Sequence, residues 1–413
     1  MVGLGYIGLP TAALFAAHGT TVIGVDVSSH VVETINAGKI HIVEPDLDLI
    51  VQKAVADGTL RATLTPEVAD AFIIAVPTPF KGDHKPDLSY IQSAANMIAP
   101  VLKKGNLVIL ESTSPIGATE QLSEWLAEAR PDLSFPQTGG EDADIQVAHC
   151  PERVLPGEVI RELVENDRII GGMTKRASEM AIEMYKIVVK GDCVITDSRT
   201  AEMCKLTENS SRDVSIAFAN ELSIICDKFG IDVRELISLA NRHPRVDILQ
   251  PGSGVGGHCI AVDPWFIVAS APEEAKLIRM AREGNDAKPK WVVQKGKDAI
   301  MQVLSQQPEK SMSDIKVACL GLAFKPDIDD LRESPAMLIA QDFADLGCQV
   351  LAVEPNIEAL PSSLNKPNVT LTPLQAALKQ ADVVCALVKH TDFVGLKEPR
   401  LPKDTPFIDA VGL

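Results

Sequence analysis

The sequence predicts an α/β chain, with two Rossmann-like doubly wound parallel-sheet domains joined by a long central helix. Three observations carry that expectation. Gly3, Gly5 and Gly8 form a glycine fingerprint ahead of a helix-like stretch. Apolar strand-like runs alternate with helical segments up to about residue 197, and again after residue 314. Between them, residues 198 to about 230 hold an unbroken helical pattern. At 413 residues the chain also exceeds one ordinary core. The expected divisions are a first α/β domain over 1–197, a central helical region over 198–305 and a second α/β domain over 314–413.

Composition narrows the function classes. A net charge of -17 lacks the basic footprint that nucleic acids require and disfavours an anionic membrane surface. Such a chain must gather its Arg and Lys locally to hold an anionic ligand. No apolar run is long enough to span a bilayer, and no signal peptide is visible. The eight cysteines show no CxxC and no metal-like pairing with histidine, a pattern of reduced thiols in a cytoplasmic protein, and no metal site is expected.

The first domain opens on Gly3-Leu4-Gly5-Tyr6-Ile7-Gly8, followed by a helix-like stretch from Thr11 to His18 and an apolar strand from Thr21 to Asp26. Strand, glycine turn, helix, strand and acid is the dinucleotide fingerprint in its proper context. The glycines admit a pyrophosphate to the helix N-terminus, where N–H groups and the dipole favour negative charge. Tyr6 and Ile7 share that loop, and Asp26 would accept from free ribose hydroxyls, favouring NAD over NADP. Only two residues precede Gly3, whereas strands usually run about five or six, so the first strand is expected to continue upstream of Met1.

Further buried strands are expected at Ala71 to Val76 and Leu107 to Ser112. Thr78 and Thr113 follow them, at the carboxyl ends where open parallel sheets bind ligands. They are candidate cofactor contacts; capping of the next turn is the alternative. A strand ending at Cys150 leads into a proline-bounded loop carrying Glu152 and Arg153, which would face a substrate. Strands at Arg168 to Gly171 and Cys193 to Thr196 close the domain.

On the long helix, Lys205, Asn209 and Arg212 lie at i, i+4 and i+7 and share one face. A solvated stripe is the ordinary explanation; a row meeting an anionic ligand is the functional one. Asn241-Arg242-His243-Pro244-Arg245-Val246 adds cationic donors and leads to Gly254-Val255-Gly256-Gly257-His258-Cys259, with Asp263 four residues on. A cysteine delivered by a glycine turn can meet substrate, and its thiolate is a strong nucleophile. A buried structural cysteine is the alternative. Asp263 could order a water or tune its neighbours. A second helical stretch runs from Glu273 to Leu304, and residues 306–313 read as a linker.

The second α/β unit begins with a strand at Ile315 to Ala323. Lys325 and Arg332 flank its first turn, as ligand contacts or as ordinary surface charges. A helix from Ala336 to Leu346 and strands at Gln349 to Val353, Ala381 to Val388 and Phe407 to Ala410 complete it. It carries no GxGxxG.

Taken in order, GxGYIGLP, VPTP, ESTSPIG, CPERVLPG, AEMCKLTEN, GVGGHCIAVDP and GLAFKPDIDDLRESP resemble the nucleotide-sugar 6-dehydrogenase family over essentially the whole chain. Members acting on UDP-glucose usually carry serine before the cysteine and Phe-Pro-Lys after it. His258-Cys259-Ile260-Ala261-Val262-Asp263-Pro264-Trp265-Phe266 is instead similar to the branch acting on UDP-N-acetylhexosamines. Residues 241–246 and 248–252 are most similar to members that use UDP-N-acetyl-D-mannosamine and supply a uronic acid for enterobacterial common antigen.

The resemblance implies oxidation of the sugar C6 hydroxyl to a carboxylate with NAD, through a thiohemiacetal and a thioester on Cys259. It implies that Lys205 donates and accepts the proton at C6 or stabilises the oxyanion, and that Asn209 helps hold it. Asp263 would orient Lys205 or water, and Glu152 would aid water activation. Arg153, Val154, Arg212, His243, Arg245, Gly256, Phe324 and Lys325 would contact the UDP-sugar along with Lys205 and Asn209. Arg332 would reach the NAD pyrophosphate. A homodimer through the long helix is also implied. The alternatives are another UDP-hexosamine or UDP-glucose as substrate, a two-electron dehydrogenase of the 6-phosphogluconate type, and a non-catalytic NAD-sensing protein.

Overall fold

A computed structural model describes residues 1–82, 84–155, 157–257, 259–395 and 405–413. Pro156 and His258, which belong to two of the motifs above, lie outside the described residues. The chain divides into two units: Met1–Glu208 with Ala269–Ala271, and Asn209–Val268 with Pro272–Leu413. The division falls inside the helix Ser198–Phe229, which fills the span expected for the long helix.

In the first unit, Val2 forms parallel bridges with both Val25 and Ile74 and so occupies the central position of the sheet. Strands Val22–Val25 and Leu60–Thr63 extend on one side. On the other side follow Ala71–Ile74, Leu107–Leu110, Gln146–His149, Arg168–Gly172 and Cys193–Asp197, in that order. Counting Val2 as the first strand, the order over the first six is the 3-2-1-4-5-6 of a doubly wound dinucleotide fold. One pair departs from the expected parallel sheet: Ala148 opposes Gly172 and His149 opposes Gly171 in antiparallel register. Mixed sheets of this kind are common in doubly wound folds.

Alternation decides which face each residue serves. Ile73, Ile109, Ala148 and Ile170 join the cluster under helices Gly8–Ala17, Leu47–Ala56 and Lys175–Tyr185. Phe72, Ile74, Val108, Leu110 and Val147 join the opposite cluster under Ser89–Ile98 and Ala118–Ala129. Two buried faces explain why these strands are continuous apolar runs. The helix expected at Thr11 begins at Gly8, because Pro10 falls in a first turn whose N–H groups have no intrahelical partner.

In the second unit, strands Val369–Leu371, Gln349–Val353, Lys316–Leu320, Val383–Ala386 and Phe407–Asp409 form one parallel sheet in that order. Val317, Cys319, Val350, Ala352, Val383 and Cys385 face one core. Ala318, Leu320, Leu351, Val353, Val384 and Ala386 face the other. The helix Lys276–Gln306 carries Pro289 in its interior and packs on the first of these cores through Val292, Val293 and Ile300. Among the described residues no helix is long and apolar enough to cross a membrane.

Candidate active site

Gly3, at φ 88°, and Gly8 are required by close packing: a Cβ on Gly3 would stand 2.4 Å from the Ala75 carbonyl oxygen, and one on Gly8 1.9 Å from that of Gly3. At Gly5 nothing lies within 4 Å of a Cβ, so this stretch of the loop borders open space. The helix Gly8–Ala17 has no side-chain cap at Ile7. An open glycine backbone at an uncapped helix start fits a dinucleotide pyrophosphate. Asp26 accepts from the Leu4 N–H at 3.1 Å and the Ser28 N–H at 2.9 Å, which aims its carboxylate at the loop. Each oxygen keeps a further lone pair for a ribose hydroxyl. Thr78 and Thr113 are brought together, the Thr78 hydroxyl donating to the Thr113 carbonyl at 2.7 Å.

The wild-type protein is therefore expected to prefer NAD strongly over NADP. Asp26→Ala should narrow that preference by roughly 10- to 100-fold, the scale of lost hydrogen bonds to a charged group, mainly by weakening NAD. Cofactor titration checks it, and equal use of NADP by the wild type would remove this role from Asp26.

Glu152 is buried. Its Oε2 lies 2.7 Å from Arg168 Nη1, and its Oε1 accepts the Arg153 N–H at 2.6 Å. Arg168 Nη1 also stands 3.4 Å from Glu111 Oε1, which accepts from the Tyr185 hydroxyl at 3.1 Å. The guanidinium carbon sits 4.6 Å from the Tyr185 ring centre. Two carboxylates thus share one cation away from water. Burial, reinforced by the charge of Glu152 and opposed by Arg168, pushes the Glu111 carboxyl up to about 7.

A raised carboxyl means that the folded chain keeps a proton which the unfolded chain, at its ordinary value near 4.5, has released. This group's contribution to stability therefore falls as pH rises between about 4.5 and 7 and stays constant above. Glu111→Gln should flatten that decline, gaining roughly 1–3 kcal/mol at pH 8 relative to pH 5 when compared with the wild type. Melting temperatures of both proteins across pH 5–8 test it; parallel curves would contradict it. Glu111, Arg168 and Tyr185 were not singled out from the sequence. A charged residue directly after the apolar run at residues 107–110, and another opening the strand at 168, was the available signal.

Arg153 forms an ion pair with Glu208, Nη2 to Oε1 at 2.7 Å and Nε to Oε2 at 3.1 Å. Both line an open pocket of about 460 Å³ with Asn166, Asp167, Ile169 and Val194. Val154 is half-buried against the first core. Lys205 is half-buried on the long helix. One turn before it, the Glu202 carboxylate accepts from the N–H groups of Gly117, at 2.6 Å, and Thr119, at 2.8 Å, capping the helix Ala118–Ala129. That cap ties the turn preceding Lys205 to the loop that follows Thr113.

The remaining candidates belong to the second unit. Cys259 is exposed, and its carbonyl accepts from the N–H groups of Val262, at 3.0 Å, and Asp263, at 2.9 Å, forming the turn that starts the helix Asp263–Ser270. The Asp263 carboxylate is buried and accepts from Asn209 Nδ2 at 2.5 Å. The glycines ahead of Cys259 pack against a distant stretch of chain. A Cβ on Gly256 would lie 2.3 Å from the Glu333 carbonyl oxygen and 2.9 Å from Phe324 Cβ. The Gly257 N–H donates to the Arg332 carbonyl at 3.2 Å. Phe324 and the Arg332 backbone are thereby brought to the cysteine loop, and Lys325 follows Phe324 in the chain. The Arg332 guanidinium itself is paired with Asp330, Nε to Oδ1 at 2.8 Å. Arg212 is exposed on the long helix. His243 and Arg245 are exposed on a loop that Asn241 closes, donating to the Ile248 carbonyl at 2.9 Å and accepting its N–H at 2.8 Å.

The second sheet repeats the first unit's turn-and-acid device with a different outcome. The Leu322 and Ala323 N–H groups donate to Glu354 Oε2 at 2.8 and 3.0 Å, as Leu4 does to Asp26. Glu354, however, is buried and bonded to His390 Nε2 at 2.9 Å, so it is closed to a ribose.

Three family models match in order. Residues 1–189 match the NAD binding domain of the UDP-glucose/GDP-mannose dehydrogenase family, 199–287 its central domain and 318–412 its UDP binding domain. The chain belongs to this family. It is therefore an NAD-dependent oxidoreductase of the nucleotide-sugar class. A UDP-N-acetyl-D-mannosamine dehydrogenase of Yersinia pestis is 63% identical over 414 residues, covering 100% of this chain and 98% of that one. An NDP-N-acetyl-D-galactosaminuronic acid dehydrogenase of Ralstonia nicotianae is 62% identical, covering 97% and 92%. Among solved structures, the UDP-N-acetyl-mannosamine dehydrogenase of S. aureus aligns with a TM-score of 0.83 at 40% identity, covering 100% and 98%. Among the described residues no group of three or more His, Cys, Asp or Glu is placed to hold a metal.

Proposed function

We propose that this chain oxidises the C6 hydroxyl of UDP-N-acetyl-D-mannosamine to the carboxylate through a covalent intermediate on Cys259, supplying a uronic acid for a surface polysaccharide such as enterobacterial common antigen. The observation that carries the reading is an exposed thiol on a glycine-braced turn whose far end, the buried Asp263, accepts a hydrogen bond from the half-buried Asn209. Gly3, Gly5, Tyr6, Ile7, Gly8, Asp26, Thr78, Thr113 and Arg332 would hold NAD, which when bound would accept one hydride in each of two oxidations, a fresh NAD serving the second.

The chain's own groups do the rest. Lys205 takes the C6 hydroxyl proton and, with Asn209, stabilises the negative oxygen; such donors act most strongly in a water-poor site. The Cys259 thiolate adds to the aldehyde carbon, and the carbonyl pair moves to oxygen and is protonated. The resulting thiohemiacetal still carries the C–H needed for the second oxidation, which leaves a thioester. Water, ordered by Asp263 or Glu152, attacks that carbonyl; the C–S bond breaks and carboxylate and thiolate separate. Arg153, Val154, Arg212, His243, Arg245, Gly256, Phe324 and Lys325 bind the UDP-sugar. Residues 1–197 serve as the NAD-binding domain, 198–305 as a central helical and dimerisation region carrying the catalytic cysteine loop, and 314–413 as the UDP-sugar-binding domain. A homodimer in the cytoplasm completes the reading. Phe218, Ile225 and Phe229, one exposed apolar stripe on the long helix, support the former, and thiols at all eight cysteines support the latter.

The relative with 62% identity that is named for N-acetyl-D-galactosaminuronic acid favours a second reading, the galacto-configured sugar. A panel of UDP-sugars separates the two. UDP-N-acetylmannosamine should be turned over well and UDP-glucose poorly. Arg245→Ala should raise the KM for the UDP-sugar by roughly tenfold or more, with little change for NAD. Robust turnover of UDP-glucose, and none of any acetamido sugar, would refute the branch assignment.

A further inference from the structure

We propose that the buried Asp213–Arg282 pair positions the Cys259 nucleophile, by holding the backbone of its loop on the long helix. The proposal rests on the reading of Cys259 as nucleophile. Arg282 Nη1 lies 2.5 Å from Asp213 Oδ1 and also donates to the Ile260 carbonyl at 3.3 Å. Ile260 is the residue after the cysteine. Arg282 Nη2 donates to Asp286 at 2.9 Å, one turn along the same helix Lys276–Gln306. Asn285 adds a second donor to Asp213 Oδ1, at 2.8 Å. The side chains of Arg282 and Asp213 are both 0% exposed.

The placement of Asp213 gives this pair its meaning. Asn209 and Asp213 are four residues apart on the helix Ser198–Phe229 and lie on one face of it. Asn209 holds Asp263, and Asp213, through Arg282, holds Ile260. The turn from Cys259 to Asp263, already closed by two N–H groups on the Cys259 carbonyl, is thus tied at both ends to one helix face. A planar guanidinium serves a carboxylate and a carbonyl at once, which a lysine ammonium does less well. Stability alone is a weak reason for such a pair, because buried ion pairs return little net free energy against apolar replacements. Its contact with the nucleophile's neighbour supplies a better one.

Two variants test this. Arg282→Lys keeps a cation for Asp213 while giving up the fork. The double variant Asp213→Leu with Arg282→Met removes both charges together and preserves packing volume. In each, kcat for UDP-sugar oxidation should fall by roughly 10- to 100-fold, the scale on which small misplacement of a reacting group acts. The KM should stay within about threefold. Hydrogen–deuterium exchange of the Val262 and Asp263 amides should quicken by about tenfold or more, while the rest of the long helix keeps its protection. A merely structural pair would lower the melting temperature without moving either readout in the folded protein. A folded variant with kcat within about twofold of wild type, or with unchanged loop exchange, overturns the proposal. Cys259→Ala distinguishes the two levels. If it retains full turnover, the nucleophile reading fails and this proposal with it. If it is inactive while a folded pair variant is fully active, the positioning role alone is lost.

Discussion

Cys259→Ala is expected to lower carboxylate production by at least about 10³-fold while leaving UDP-sugar binding within a few fold. The side chain is exposed on its turn, so its removal opens no core cavity, and the fold should persist. In the proposed mechanism, what disappears is the step that keeps the aldehyde in place between the two oxidations. An aldehyde held by non-covalent contacts can hydrate or leave; one captured by sulfur stays, and its thioester is activated toward water. Cys259→Ser keeps size and polarity but offers a poorer nucleophile. It should form an ester that hydrolyses slowly enough for intact mass spectrometry to trap. An alanine variant that still gains the mass of a sugar adduct would place the covalent chemistry on another residue.

Lys205→Ala should lower kcat by roughly 10²- to 10³-fold with a smaller effect on KM, because a cation beside a developing alkoxide acts mainly in the transition state. The structure gives this lysine a firm base. Glu202, one turn earlier on the same helix, is 1% exposed and bonded to the backbone of Gly117 and Thr119. Lys205→Arg, which keeps the charge but not the proton-transfer chemistry, should recover part of the loss if charge stabilisation dominates. Steady-state kinetics with saturating NAD measure this. A Lys205→Ala protein with wild-type kcat would take the residue out of the reaction.

The parts of the molecule legible in the sequence were those whose signal is local. The glycine fingerprint, the acid at Asp26 and the next helix lie within one supersecondary unit, so spacing alone set their geometry. The strands were legible because burial on both faces makes them apolar runs; the clusters around Ile73 and Phe72 show the two faces directly. The shared helix face of Lys205 and Asn209 was legible because a helix fixes i and i+4.

Long-range pairing was not legible. Arg168 meets Glu152 and Glu111 only through the sheet, and Asp213 meets Arg282 only through the packing of two long helices. Neither has a periodic signature, since a buried charge looks like a surface charge until its partner is known. The antiparallel pairing at His149 and Gly171 was equally invisible, because strand direction leaves no mark on an apolar run. The sequence of glycines before Cys259 suits close approach of a ligand. The structure also gives Gly256 a packing neighbour, Phe324, that is remote in sequence.

Four-electron oxidation through one covalent site can be checked by counting NADH formed per UDP-N-acetylmannosamine consumed, with aldehyde and carboxylate quantified in the same reaction. The wild type should give two NADH and one carboxylate per sugar, without free aldehyde, and Cys259→Ala should not. One NADH per sugar with released aldehyde, or a Cys259→Ala protein that still yields two at near wild-type rate, would contradict it.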